Sequence, residues 1–177
     1  HDGVTMSLTN GCVCCSLADD LGQTLERVRT MDEPPDHVLM ELSGVAEPAR
    51  VVPWADTPGF RLDGIVVVAD AERIGEQVDS EYVGETVRAQ LAAADLVLVS
   101  KTDVVADGGD AARATIADLT DAPSITVTLG VVDPGVLLGV DRSRSAPTPR
   151  AARPARYRTW TIDVGSPTAD ELRTLVE

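Results

Sequence analysis

A chain of 177 residues with a net charge of −14 repels nucleic acid and anionic membrane surfaces, so neither is expected as a partner. Hydrophobic residues at 44% and charged residues at 25% suit a folded soluble chain of one domain, or one plus part of another. Aromatics are only 3%, so the core must be built from Val, Leu, Ile and Ala. No signal peptide and no apolar run of about eighteen residues occurs, and a cytoplasmic location is expected. The chain opens at His1 without an initiator Met and closes at Val176-Glu177 inside a helical pattern, which suggests a fragment or a missing first segment.

Val4 to Leu8 is a short β-like run that leads into Asn10-Gly11-Cys12-Val13-Cys14-Cys15-Ser16. All three cysteines of the chain fall in this stretch. Thiolates are soft ligands, and Cys12, Cys14 and Cys15 together suit Zn²⁺, with Co²⁺ as a competitor. Gly11 allows a tight turn before them. Ser16 has the character of a helix N-cap, with Asp19 three residues on, so the cysteines enter a helix from its N-terminal side. The unpaired N–H groups and dipole there favour the thiolate form. A disulfide between such near neighbours would be strained, and the odd count argues against a disulfide framework. Redox chemistry and simple packing remain the alternatives to metal binding. Three thiolates leave a tetrahedron incomplete, so the fourth ligand is unidentified or the site is open for exchange.

Leu17, Leu21, Leu25 and Val28 follow at helical spacing, and this helix should stop before Pro34-Pro35. His37 to Leu42, HVLMEL, has the apolar content of a short buried strand, with Glu41 near its end. Ser43-Gly44-Val45-Ala46-Glu47-Pro48 is a loop, and Pro48 can open the next helix. Leu62 to Ala69 carries the strongest strand signal and ends at Asp70. Glu81 to Ala94 predicts a helix, Leu96 to Val99 a buried strand, Asp110 to Leu119 a helix and Ile125 to Leu129 a fourth strand. Alternating strands and helices imply an α/β fold with a mostly parallel sheet and right-handed crossovers. Ligands bind such sheets at the carboxyl ends of strands, where Glu41, Asp70 and Lys101 to Asp103 would all lie. The Arg-, Ser- and Pro-rich run from Asp141 to Arg156 suggests a linker. Tyr157 to Val164 alternates like a strand and Pro167 to Val176 like a helix, the start of a second small α/β unit. The expected division is therefore residues 1–140, a linker over 141–156, and 157–177.

Fourteen arginines accompany a single lysine, Lys101, in Ser100-Lys101-Thr102-Asp103 after a buried strand. This resembles the NKxD guanine-specificity motif of GTPases. There the aspartate, matched by Asp103, accepts two hydrogen bonds from guanine, and the lysine, matched by Lys101, covers the planar face of the nucleotide. Ser100 stands in place of the usual asparagine and offers fewer hydrogen bonds. A plain pair of charges at a strand end is the competing reading. Lys101 follows Ser100, so the chain contains no Gly-Lys-Ser/Thr Walker A loop. The chain as given is accordingly expected not to turn over GTP.

With GCVCC, ELSG and SKTD in this order, the chain resembles the CobW-type GTP-dependent metallochaperones, over about residues 1–140. The resemblance implies a sheet of P-loop GTPase type, here without its Walker A segment and with the start of a smaller C-terminal domain. Cys12, Cys14 and Cys15 match the metal loop. Glu41 and Gly44 match E-x-x-G, where the glutamate, as the catalytic residue, serves the Mg²⁺ and attacking-water side. Ser100, Lys101 and Asp103 match the guanine site. Asp70 resembles the aspartate ending the next strand, Gln90 and Asp95 resemble the helix segment before the guanine strand, and Val127 to Gly130 resembles the loop bordering the base. The function implied is a GTP-binding metal chaperone or insertase handling zinc. GTP and Mg²⁺ would serve the full-length protein, a client metalloprotein would be its partner, and a homodimer is among the assemblies the resemblance allows. The rival expectation is a nucleotide-free metal-binding or interaction module that keeps the fold without turnover.

Overall fold

The computed structural model describes residues 16–55, 57–138 and 140, with side chains from Leu21 onward. The strand expected over Val4 to Leu8, the three cysteines, the linker and the second unit lie outside the described residues.

Helix α1 (Ser16–Arg29) forms where Leu21, Leu25 and Val28 repeat at one-turn spacings, and all three are buried. Arg27 and Arg29 occupy its last turn, where positive charge suits the exposed carbonyl ends, and Glu26 pairs with Arg29 at 2.5 Å. Helix α2 (Pro48–Ala55) starts at the proline, as expected. Leu21 and Leu25 of α1 meet Val51 of α2 in a small cluster closed by Met40, Leu42, Trp54 and Phe60.

The main core lies on a parallel sheet in the order β1 (Val66–Asp70), β2 (Leu96–Ser100), β3 (Ser124–Val127). Four consecutive residues of β2, Leu96 to Val99, are buried, as expected of a central strand covered on both faces. One face carries α3 (Ile74–Asp79), α4 (Gly84–Ala93) and α5 (Asp110–Ala117), through Ile74, Val78, Leu91, Ala112 and Ile116 around Val97 and Val99. On the other face Leu96, Leu98 and Val127 pack with Val140 and with Leu137 of α6 (Pro134–Leu138). At Gly84 a Cβ would lie 2.5 Å from the Val78 carbonyl oxygen, so the close turn from α3 into α4 needs glycine.

The α/β class and the parallel sheet are as the sequence predicts. Residues 37–42 are a correction: they form no strand, and Val38 and Leu39 are 44% and 88% exposed. Apolar content alone does not make a strand, and among the described residues no neighbour takes the N–H and C=O groups of this segment. The strand ending at Asp70 starts at Val66 rather than Leu62. Helices α3 and α6 were not foreseen. Among the described residues no helix is long and apolar enough to cross a membrane.

Candidate functional site

The three strands run in step, with Asp70 opposite Ser100 and Ser100 opposite Val127, so their carboxyl ends form one short edge. Ala71 N–H donates to the Ser100 carbonyl at 3.0 Å and carries the pairing one step beyond β1. Ser100 Oγ donates to the Ala69 carbonyl at 3.0 Å. The hydroxyl is therefore turned onto the neighbouring strand, where it ties β2 to β1.

Directly after Ser100 the backbone reverses. Lys101 has φ +59°, a left-handed conformation that costs a non-glycine residue about 1 kcal/mol or more. Leu129, just past the end of β3, has φ +52°, and with Gly130 at +72° it makes a tight turn that pairs Thr128 with Val131. Among the described residues these are the two non-glycine positions with positive φ, and they leave adjacent strands at the same edge. Backbone strain of this kind concentrates at binding sites.

Lys101 Nζ donates to Asp70 Oδ2 at 2.7 Å, and the other carboxylate oxygen accepts the Glu72 N–H at 3.0 Å. Burial pushes the Asp70 carboxyl up. The Lys101 hydrogen bond, the Glu72 N–H and the charges of Lys101 and Arg73 outweigh it and hold the group below its ordinary 3.8. Thr102 is buried beneath the turn, while Asp103 is exposed and its carboxylate has no hydrogen-bond partner among the described residues. Gly109, at φ +88°, packs so closely on Thr102 that a Cβ would sit 2.8 Å from its methyl. Asp107 then caps α5, its carboxylate accepting the Ala111 N–H at 2.8 Å and the Gly109 N–H at 3.0 Å. Those two backbone hydrogen bonds, Ala111 first, lower the Asp107 pKa.

The structure thus brings Asp70, Ser100 and Lys101 together, with Asp103 in the same loop. It does not join Glu41 to them. Glu41 is exposed and makes no hydrogen bond or ion pair with any described residue. Gly44 belongs to a turn closed by Ala46 N–H to the Ser43 carbonyl at 2.8 Å, and the amide of Gln90 on α4 holds that turn. Sequence reasoning missed the capping role of Asp107, although Asp-Gly-Gly before a helix is a turn-and-cap signal. It also missed what Gln90 touches, because a contact across 44 and 46 residues leaves no local pattern. Among the described residues no group of three or more His, Cys, Asp or Glu could hold a metal, and Cys12, Cys14 and Cys15 lie outside them.

An open parallel sheet with polar, strained turns at its carboxyl edge defines an α/β domain of the nucleotide-binding kind. Residues 1–127 match the family model described as CobW/HypB/UreG, nucleotide-binding domain. The chain belongs to that family. It is 30% identical to a zinc chaperone CobW of Sinorhizobium sp, over 76% of this chain and 46% of the relative. It is 28% identical to the zinc chaperone YjiA of Escherichia coli strain K12, over 76% of this chain and 44% of the relative. It is 30% identical to the zinc-regulated GTPase metalloprotein activator 1 of Schizosaccharomyces pombe, over 56% of this chain and 25% of the relative. The chain thus spans less than half the length of these relatives. No solved structure matches it.

Proposed function

We propose that the protein is a GTP-dependent zinc chaperone or insertase, in which residues 1–140 are the nucleotide-handling domain, 141–156 a linker and 157–177 the start of a second domain. The observation that supports this best is the edge made by Asp70, Ser100 and Lys101. Its strained turn carries Lys101, whose ammonium donates to Asp70, and leaves the Asp103 carboxylate unpartnered among the described residues. Asp103 would accept the two donors of the guanine edge, and the Lys101 stem would cover the base. Ser100 contributes by fixing the turn to β1 through Ala69.

Glu41 and Gly44 would form the phosphate side. Mg²⁺ takes oxygen ligands, commonly one or two carboxylates with phosphate oxygens and water. The exposed Glu41 carboxylate, unpartnered among the described residues, has the right donor chemistry for one such position. When bound, the ion would offset negative charge on the phosphates. Zinc is the cargo, and Cys12, Cys14 and Cys15 would carry it as thiolates. The names of the relatives, zinc chaperone and zinc-regulated GTPase metalloprotein activator, support that choice of metal and a client metalloprotein as the receiver.

The test is base selectivity in the full protein. Losing a hydrogen bond to a charged acceptor costs roughly 1.5–3 kcal/mol. Asp103→Asn should therefore weaken GTP binding by that amount and move preference toward xanthosine triphosphate, whose C2 carbonyl oxygen accepts from the asparagine amide. An unchanged preference for GTP in Asp103→Asn would show that this loop is not the base site.

A further inference from the structure

Gln90 lies near the end of α4, and its side chain reaches out of its own element. Nε2 donates to the Gly44 carbonyl at 3.0 Å and to the Ala46 carbonyl at 2.8 Å. An amide nitrogen has two hydrogens, and both are used. Both acceptors are carbonyl oxygens, so chemistry alone decides which end of the amide faces them. The same turn is closed on itself by Ala46 N–H to the Ser43 carbonyl at 2.8 Å. At Gly44 nothing lies within 4 Å of where a Cβ would be, so the turn is held there by polar ties rather than by packing.

We propose that Gln90 is a positioning residue that latches the Ser43–Ala46 turn, and with it the Glu41–Gly44 segment, to α4. This rests on the GTP reading for its functional consequence, though not for the latch itself. Residues 37–42 belong to no strand of the described sheet; Met40 and Leu42 rest on the α1–α2 cluster, and the Gln90 bonds tie the 43–46 turn that follows to α4. The anchor is also well placed to transmit. From α4 the chain passes through Asp95 into β2. Asp95 N–H donates to the Ile65 carbonyl at 2.8 Å, and its carboxylate accepts the Ile65 N–H at 2.9 Å. At its far end β2 delivers Ser100 and Lys101. The element that grips the phosphate-side turn is therefore continuous with the strand that carries the base-side turn. Movement of one turn as GTP is bound or hydrolysed would load the other through α4 and β2.

The test uses the full chain with Gln90→Met, which keeps length and removes both donors, and Gln90→Lys, whose ammonium can again donate to two carbonyls. Amide hydrogen exchange over residues 42–47 is read without nucleotide, and GTP affinity is read with Mg²⁺. Losing two hydrogen bonds predicts exchange at Ala46 about tenfold or more faster in Gln90→Met, with β1, β2 and β3 amides within about twofold of wild type. GTP affinity should fall about five- to tenfold, and Gln90→Lys should recover most of both effects. Unchanged exchange at Ala46 in Gln90→Met overturns the proposal, as does equal acceleration throughout the sheet, which would mark a purely structural role. Faster exchange with undiminished GTP affinity keeps the latch and overturns its part in nucleotide binding. A wild-type full-length protein with no GTP affinity removes the GTP reading, while the exchange data still decide the latch.

Discussion

Asp70 shows how one carboxylate organises the edge of the sheet. Its two oxygens are divided between the Lys101 ammonium and the Glu72 N–H, so one side chain fixes both the start of its own turn and the lysine of the neighbouring turn. Its side chain is 20% exposed and that of Lys101 is 55% exposed, so screening reduces the pair to about 1 kcal/mol. Asp70→Asn should lower stability by about that amount at pH 7 and free Lys101 from its position. The pH dependence follows from the sign of the shift. The folded carboxyl titrates below its unfolded value near 3.8, so its contribution is complete above that value. It is lost as pH falls through the lower folded value, where the folded protein must take up the proton. Thermal melts of wild type and Asp70→Asn from pH 7 down to acid should therefore converge. A gap between them that stays constant into acid would mean that the carboxylate charge is not what Asp70 contributes.

Among the elements, β2 is the one on which both cores depend. Val97 and Val99 face the cluster shared with α3, α4 and α5, while Leu96 and Leu98 face the cluster closed by Leu137 and Val140. Leu91 of α4, with no exposed surface, fills the first cluster. Leu91→Ala should cost about 2–5 kcal/mol, the range for emptying a leucine site that collapses only partly. A denaturant midpoint moved by an equivalent of under about 1 kcal/mol would mean that α4 repacks freely on the sheet. The β2 strand and the turn after it were legible because an apolar run and an abrupt Ser-Lys-Thr-Asp are local signals. Helix α3 was not, since Ile74-Gly75-Glu76-Gln77-Val78-Asp79 is short and carries a glycine. HVLMEL has the local signal of a strand but lacks a neighbour among the described residues, and pairing is a long-range property that composition does not encode. For the same reason the Lys101 to Asp70 pair and the Gln90 latch could be seen only once the elements were placed.

At the scale of the whole molecule, an acidic chain in a family with zinc-chaperone members has its cysteines gathered in one stretch near its start. If Cys12, Cys14 and Cys15 carry the metal, binding must displace thiol protons, so affinity should fall as pH falls and proton release should accompany uptake. Cobalt is the useful probe, because thiolate ligation gives an intense near-ultraviolet charge-transfer band and tetrahedral geometry gives strong visible bands. Titrating Co²⁺ into the reduced full protein should show both, and replacing each cysteine singly by serine should weaken the thiolate band. The nucleotide arm rests on reciprocity: if GTP with Mg²⁺ changes affinity for the metal, the metal must change affinity for GTP by the same factor. A chaperone switch needs that factor to differ between GTP and GDP, since a nucleotide that binds the holding and releasing states equally shifts nothing. Cobalt spectra indifferent to all three substitutions would remove the cysteine loop as the cargo site. Metal affinity equal with GTP, with GDP and without nucleotide would leave a metal-binding protein whose sheet edge serves some purpose other than release.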